Sequence, residues 1–334
     1  MLLLALVSGV DLVRAAPITA LSFSPDGSTL ASVSGNKVAL HGPKSGAVKK
    51  SLPGQFKRLT TLAFQPKGVL LAVGGGTPGE KGGVQLLDWR KGEWLGSIAT
   101  NSDVVTCVAF NGEGKLLAVA SADQSVTVYR VEGDAKLAVA FSLSGHSGAV
   151  QAVAFSPDGT ILLTASVDRS LKVWSVADGK LLRSFGQHTD AVQALAFRPI
   201  VSDRPDAPAY CASGGDDRTV RVWQPSIGRM VRIVRRHEGP VLALAFTPDG
   251  RALFSAGKEG IIRRIDADSD EVLGARRGSE DWIYSLAISP DGKTLATGDW
   301  GGKVSCRVLT GADFEDENDD EDEQDGDQGR TWTR

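Results

Sequence analysis

Short apolar runs alternate with polar turn residues along nearly the whole chain. Residues 149–155 alternate small and apolar side chains and read as a strand. Ser156, Pro157, Asp158 and Gly159 follow as a turn. Pro presets φ at the second turn position, and Gly accepts the left-handed conformation that starts the return. Residues 160–166 are apolar and β-branched, a second strand. Val167, Asp168 and Arg169 turn the chain, and residues 171–175 make a third strand. Ala177, Asp178 and Gly179 turn it again before a fourth at 180–185. Long helical periodicity is absent, and Pro, Gly and Asp recur too often for helices of ordinary length.

This unit recurs seven times. Phe-Ser-Pro-Asp-Gly stands at 23–27 and 155–159, with Thr for Ser at 246–250 and Ile for Phe at 288–292. Phe64, Phe110 and Phe197 open worn copies. The spacing between copies is 41 to 49 residues, a period that means stacked or radially arranged units. Four short antiparallel strands per period describe one propeller blade. The expected fold is therefore an all-β, seven-bladed β-propeller over residues 16–311, followed by a disordered acidic tail over 312–334.

The chain resembles the WD40 family over roughly residues 16–310, and the turn motif with the glycine-rich run 74–83 resembles bacterial members. Gly145 and His146 stand at that family's Gly-His pair and Trp174 at its Trp. The resemblance implies a hydrogen-bonded structural tetrad of His146, Ser166, Asp168 and Trp174 in the fourth repeat. In the fifth it implies His188, Asp217 and Trp223, with Gly215 in place of the Ser. The sixth keeps His237 but has Glu259 and Ile265 for Asp and Trp. The first has His41 in the Trp slot, the second Leu87 and the seventh Cys306.

The two ends of the chain are less regular. The seventh repeat has three strands and then turns acidic at Asp313, so its outer edge needs a cover. Residues 2–7 are apolar and could supply the closing strand. The rival reading of residues 1–15 is a secretory signal peptide, with Val13 and Ala15 before a cut and export as the consequence. The run is too short to span a membrane.

Charge adds contrast between body and tail. Residues 313–327 hold eleven of the 40 acidic residues and no basic one, while residues 1–312 carry a net +6. A like-charge block of this kind is expected to stay disordered. Arg221, Arg229, Arg232, Arg235, Arg236, Arg263, Arg264, Arg276 and Arg277 suggest a basic belt on blades five and six. Onto it the tail could fold back, screening it from anionic partners. Arginine decorating outward strands is the preferred reading over nucleic-acid binding, since interleaved stacking aromatics are missing.

Catalytic patterns are absent. No G-x-S-x-G, H-E-x-x-H or phosphate-loop motif occurs, and all four His have structural assignments. The run 74–83 joins two strands with no helix behind it, and the tail lacks the Glu that ends a calcium loop. Cys107, Cys211 and Cys306 fall in strands of different repeats and form no C-x-x-C pair. No cofactor or metal is expected.

The expected function is a non-catalytic, monomeric scaffold that docks protein or peptide partners on a loop face. Trp282, just before the first strand of blade seven, and Trp300, in its second turn, should emerge at one end of the ring. Trp is enriched at interaction hot spots. Arg169 and Arg218, in the matching turns of blades four and five, could extend that patch. The alternatives are a propeller enzyme with a central-channel site and a polyanion binder using the arginines of blades five and six.

Overall fold

The protein is described here by a computed structural model, which covers residues 15–201 and 209–310. Seven antiparallel sheets follow one another along the chain; six have four strands and the last has three. The innermost strands are Ile18–Phe23, Arg58–Phe64, Val105–Phe110, Val150–Phe155, Val192–Phe197, Val241–Phe246 and Ile283–Ile288. Each ends on the Phe or Ile that opens a turn copy, so the sequence period and the blade period coincide.

The turn motif closes on itself. Asp26 accepts hydrogen bonds from the Ser24 hydroxyl at 2.7 Å and the Ser28 backbone N–H at 3.0 Å. The Thr29 N–H in turn donates to Ser24 Oγ at 3.0 Å. Asp158 and Asp291 repeat this arrangement with Ser156 and Ser289. These bonds satisfy buried and half-buried turn groups locally.

Packing is organised between blades rather than within them. Buried apolar residues fall into seven clusters, and each cluster joins two neighbouring blades. The seventh cluster joins Ala296 of blade seven to Ile18, Leu21, Phe23 and Leu30 of blade one, which closes the ring. It is the smallest of the seven, with five buried residues.

Every innermost strand carries a register break after its first inward residue. The extra residues are Thr19, Thr60, Thr106, Gln151, Gln193, Leu242 and Tyr284. A bulge bends the strand and re-aims the extra side chain. In blades one to three the extra residue is Thr, and its hydroxyl donates to a carbonyl of the next blade: Leu59, Val105 and Val150 respectively. At the seam the Ser285 hydroxyl donates to Ile18 O at 3.2 Å.

The glycine-rich run is a hairpin of two long strands, Leu70–Thr77 and Lys81–Asp88. Its glycines permit close approach: a Cβ on Gly82 would lie 2.1 Å from Asp103 O of blade three. Among the described residues no helix is long and apolar enough to cross a membrane. The expected closing strand or signal peptide in residues 1–15 falls, but for Ala15, outside the described residues, as do the acidic tail and its expected disorder.

The seam gives a direct check on closure. A Cβ at Gly298 would meet Ile18 Cγ2 at 2.3 Å and Ser285 Oγ at 2.6 Å. Gly298→Ala should therefore destabilise the protein by about 1–3 kcal/mol through overpacking. Gly96→Ala, where no atom lies within 4 Å, should be nearly neutral. Thermal denaturation of the two variants measures the difference.

Candidate functional site

The hydrogen-bonded struts within the blades come first, because they hold the loops on which any site must stand. In blade four, His146 Nδ1 lies 2.8 Å from Asp168 Oδ2, and Nε2 lies 2.7 Å from Thr164 Oγ1. Trp174 Nε1 donates to the same hydroxyl at 2.9 Å. An ionised carboxylate can only accept, so Nδ1 donates to it and Nε2 accepts from Thr164. The order is then Trp174 N–H to Thr164 O–H to His146, and His146 N–H to Asp168.

The hydroxyl in this chain belongs to Thr164, which corrects the expectation of Ser166. Trp174 pairs with Leu162 across the strands. Thr164 and Ser166 share the Leu162 face, but Ser166 is four residues away, roughly 13 Å along the strand. It cannot reach the indole. Ser166 instead donates to Gly148 O at 2.9 Å and accepts from the Asp168 N–H at 3.1 Å, shaping the turn.

The same shift completes blade five. Ser213 supplies the hydroxyl, 2.7 Å from His188 Nε2 and 2.8 Å from Trp223 Nε1, with Asp217 on Nδ1 at 2.8 Å. Gly215 is the counterpart of Ser166, so its lack of a side chain removes nothing from the strut. In blade six Ser255 and Glu259 flank His237. In blade one His41 bonds Ser32 Oγ at 2.8 Å from the Trp slot. Blade seven replaces the imidazole with Ser279, whose hydroxyl donates to Asp299 at 2.7 Å.

Burial and hydrogen bonding together set the charge states. For Asp168 burial alone would raise the pKa, but hydrogen bonds from Ser170, the Ser147 N–H and His146 outweigh it and hold the group at about 2. Glu259 likewise stands at about 2, its burial outweighed by His237, the Glu238 N–H and Arg263. Burial pushes His41, His146 and His237 below the ordinary imidazole value.

Two arginines of the expected basic belt are interior. Arg221 is buried and lies 3.1 Å from Asp217, and Arg263 is buried against Glu259. They neutralise strut carboxylates instead of facing outward, which breaks the belt. Cys211 is buried, and burial raises its thiol pKa, as it does for Cys107 and Cys306.

Three aromatic rings cluster at one end of blade seven. Trp282 and Trp300 emerge at the same end of blade seven with ring centroids 5.5 Å apart. Tyr284 joins them, 5.5 Å from Trp300 and 6.3 Å from Trp282. It is the bulge residue of its inner strand, where blades one to three carry the interlocking Thr. Lys258 of blade six places its ammonium 4.8 Å from the Trp282 ring. Burial raises the Tyr284 phenol pKa, with Arg58 of blade two opposing and Asp281 adding to the effect. Trp282 remains 38% exposed.

Tyr284, Lys258 and Arg58 were not among the expected site residues. The available signal for Tyr284 was its alignment with Thr19, Thr60 and Thr106, one step after the first inward residue of each inner strand. Arg169 and Arg218 stand exposed at the same end, in left-handed turn conformations with φ of 69° and 62°. They belong to blades four and five, so blade six separates them from the aromatic rings. Lys258 is the cation that reaches the cluster.

Comparison with known proteins covers most of the ring. The model of the WD domain, G-beta repeat, matches residues 13–40, 92–130 and 271–306, and that of the fourth β-propeller of WDR90 matches 149–272. Residues 41–91, which hold the first three strands of blade two with Leu87 in its Trp slot, and residues 131–148 fall outside both. A 62-residue stretch, 19% of the chain, is 37% identical to pre-mRNA-processing factor 19 homolog 2 of Arabidopsis thaliana. That match covers 12% of the relative's length.

Two outcomes follow from the struts. Thr164→Ala leaves His146 Nε2 and the Trp174 indole N–H buried without partners and should cost about 2–4 kcal/mol, whereas Ser166→Ala should cost about 1 kcal/mol. Denaturant unfolding of both variants checks the order. The pH dependence has a fixed sign. Unfolded imidazoles titrate near 6.5 and the folded ones lower, so below that pH the unfolded chain binds more protons. Stability should be flat above about pH 7 and fall as the pH drops through about 6.5. Below the ordinary carboxylate range the loss steepens as Asp168 and Glu259 approach their folded values. Thermal melts across pH measure this.

Proposed function

The chain belongs to the WD40-repeat family of β-propellers, and from that premise we propose that it is a non-catalytic docking platform. Its partner is a protein or peptide, and it binds the end of the ring that carries Trp282, Tyr284 and Trp300. Proteins of this family are generally protein-interaction scaffolds. The observation that carries the reading is the aromatic cluster itself: three rings in mutual contact, one of them exposed, on loops braced by buried struts.

Rigid, partly exposed Trp and Tyr offer large contact area at small entropic cost. Lys258 beside the cluster, with Arg218 and Arg169 farther round, gives that end cations that would favour a partner carrying carboxylates next to its apolar anchor. The seven bulge residues are three Thr, two Gln, Leu and Tyr. They suit contact and hydrogen bonding better than acid–base chemistry, which sets the enzyme reading behind the docking one. Burial of Arg221 and Arg263 similarly sets back the polyanion reading.

The test is affinity capture with the wild-type chain and with Trp282→Ala/Trp300→Ala, each shown to be folded. A hot-spot pair of this kind should weaken the captured partner's affinity by at least roughly thirtyfold. An unchanged partner set at unchanged affinity contradicts the assignment.

A further inference from the structure

A groove of about 360 Å³ opens between blades one and two. It lies at the end of the ring opposite the aromatic cluster, since the first and third turns of each blade cap the end opposite its strut turn. Its walls are Asp26 and Ser28 in the first turn of blade one, Lys49 and Lys50 on that blade's outermost strand, and Trp89 and Arg90 in the third turn of blade two. Three cations thus face one carboxylate. Asp26 is already engaged: Oδ1 accepts from the Ser24 hydroxyl and from the Ser28 N–H and hydroxyl, and Oδ2 stands 3.7 Å from Arg90. With Asp26 set against Arg90, Lys49 and Lys50 leave two positive charges in excess. The groove between blades six and seven, by contrast, sets Asp249 and Asp291 against Arg264.

Two of these side chains are held in place. The Lys50 ammonium donates to Lys91 O at 3.0 Å and Gly92 O at 3.3 Å, both on blade two, which leaves one of its three protons to give. Gly92 makes room for it, since a Cβ there would lie 2.2 Å from Lys50 Nζ. Arg90 rests 5.1 Å from the centre of the Trp89 ring. Trp89 is only 6% exposed, and its Nε1 is buried without an acceptor. A buried donor left unpaired is costly, so the groove is short of an acceptor oxygen as well as of negative charge. We propose that it binds a phosphorylated side chain of a partner protein. A phosphoryl group carries close to two negative charges and three acceptor oxygens. That matches the charge excess and the donors, whereas a carboxylate would leave one charge uncompensated. Charge-assisted hydrogen bonds of this kind are the strong ones. The outer edge of Val48–Pro53 pairs with no strand among the described residues, so an extended backbone can lie beside the groove and carry the group in. The docking proposed for Trp282 and Trp300 is independent of it.

NMR of the indole N–H signals of the full chain tests the proposal, with Trp89 assigned by the loss of its signal in Trp89→Phe. The probe is a capped peptide, Gly-Ala-phosphoserine-Ala-Gly. It should shift the Trp89 signal saturably and leave those of Trp282 and Trp300 in place. The same peptide with Ser or Glu at its centre should bind at least about tenfold more weakly, as should inorganic phosphate. Lys49→Gln/Arg90→Gln changes two exposed side chains and should weaken the phosphopeptide by about tenfold or more. Trp282→Ala/Trp300→Ala should bind it as the wild type does, which separates this site from the aromatic end. Equal affinity for the Ser peptide, or unchanged affinity in Lys49→Gln/Arg90→Gln, overturns the proposal. Equal affinity for the Glu peptide overturns the assignment to phosphate, and equal affinity for inorganic phosphate overturns the assignment to a protein side chain.

Discussion

No four-stranded blade can bury both of its faces, so each depends on the two beside it. The seven apolar clusters show this constraint directly, because every one is shared between neighbours. Stability is thus a property of the closed ring, and its regularity limits what any single blade can tolerate. The seam carries the smallest cluster. There Gly298 gives up its side chain to make room for Ile18, and Ser285 adds a hydrogen bond across the joint. Inter-blade packing leaves the loops at the ring's ends free to vary.

The buried struts convert that packing into fixed loop positions. In blades four to six the strut ties the loop entering a blade to the blade's own second turn, through a hydroxyl on the second strand. The chemistry is flexible so long as the buried donors and acceptors match. Blade four uses Thr164, blade five Ser213, blade six pairs Glu259 with an internal Arg263, and blade seven makes do with Ser279 and Asp299. Blade seven therefore keeps a braced loop without an imidazole, and on that loop stands Trp282. The aromatic cluster sits at the least regular blade, yet its backbone is held.

Much of the fold was legible in the sequence because the turn motif is a self-contained hydrogen-bonding unit. Ser24, Asp26 and Gly27 need nothing outside their own turn, so their spacing reports the blade wherever it occurs. The strut hydroxyl was misplaced by two residues because Thr164 and Ser166 share a strand face. Only the cross-strand pairing of Leu162 with Trp174 separates them. Arg221 and Arg263 read as surface charge because their acidic partners lie four residues away, across a turn that brings them inside. The Trp pair was visible as two loop aromatics on one end. Tyr284 was not, because an unbulged strand gives no reason to aim it at the mouth of the ring.

The proposed docking places partners at the aromatic end of blade seven. The chain has seven Trp, and their indoles report separately when labelled with 5-fluorotryptophan and followed by fluorine NMR. On titration with a captured partner, the resonances of Trp282 and Trp300 should shift or broaden while those of the buried Trp174 and Trp223 stay in place. Perturbation confined to the other tryptophans, with Trp282 and Trp300 unmoved, would contradict the account.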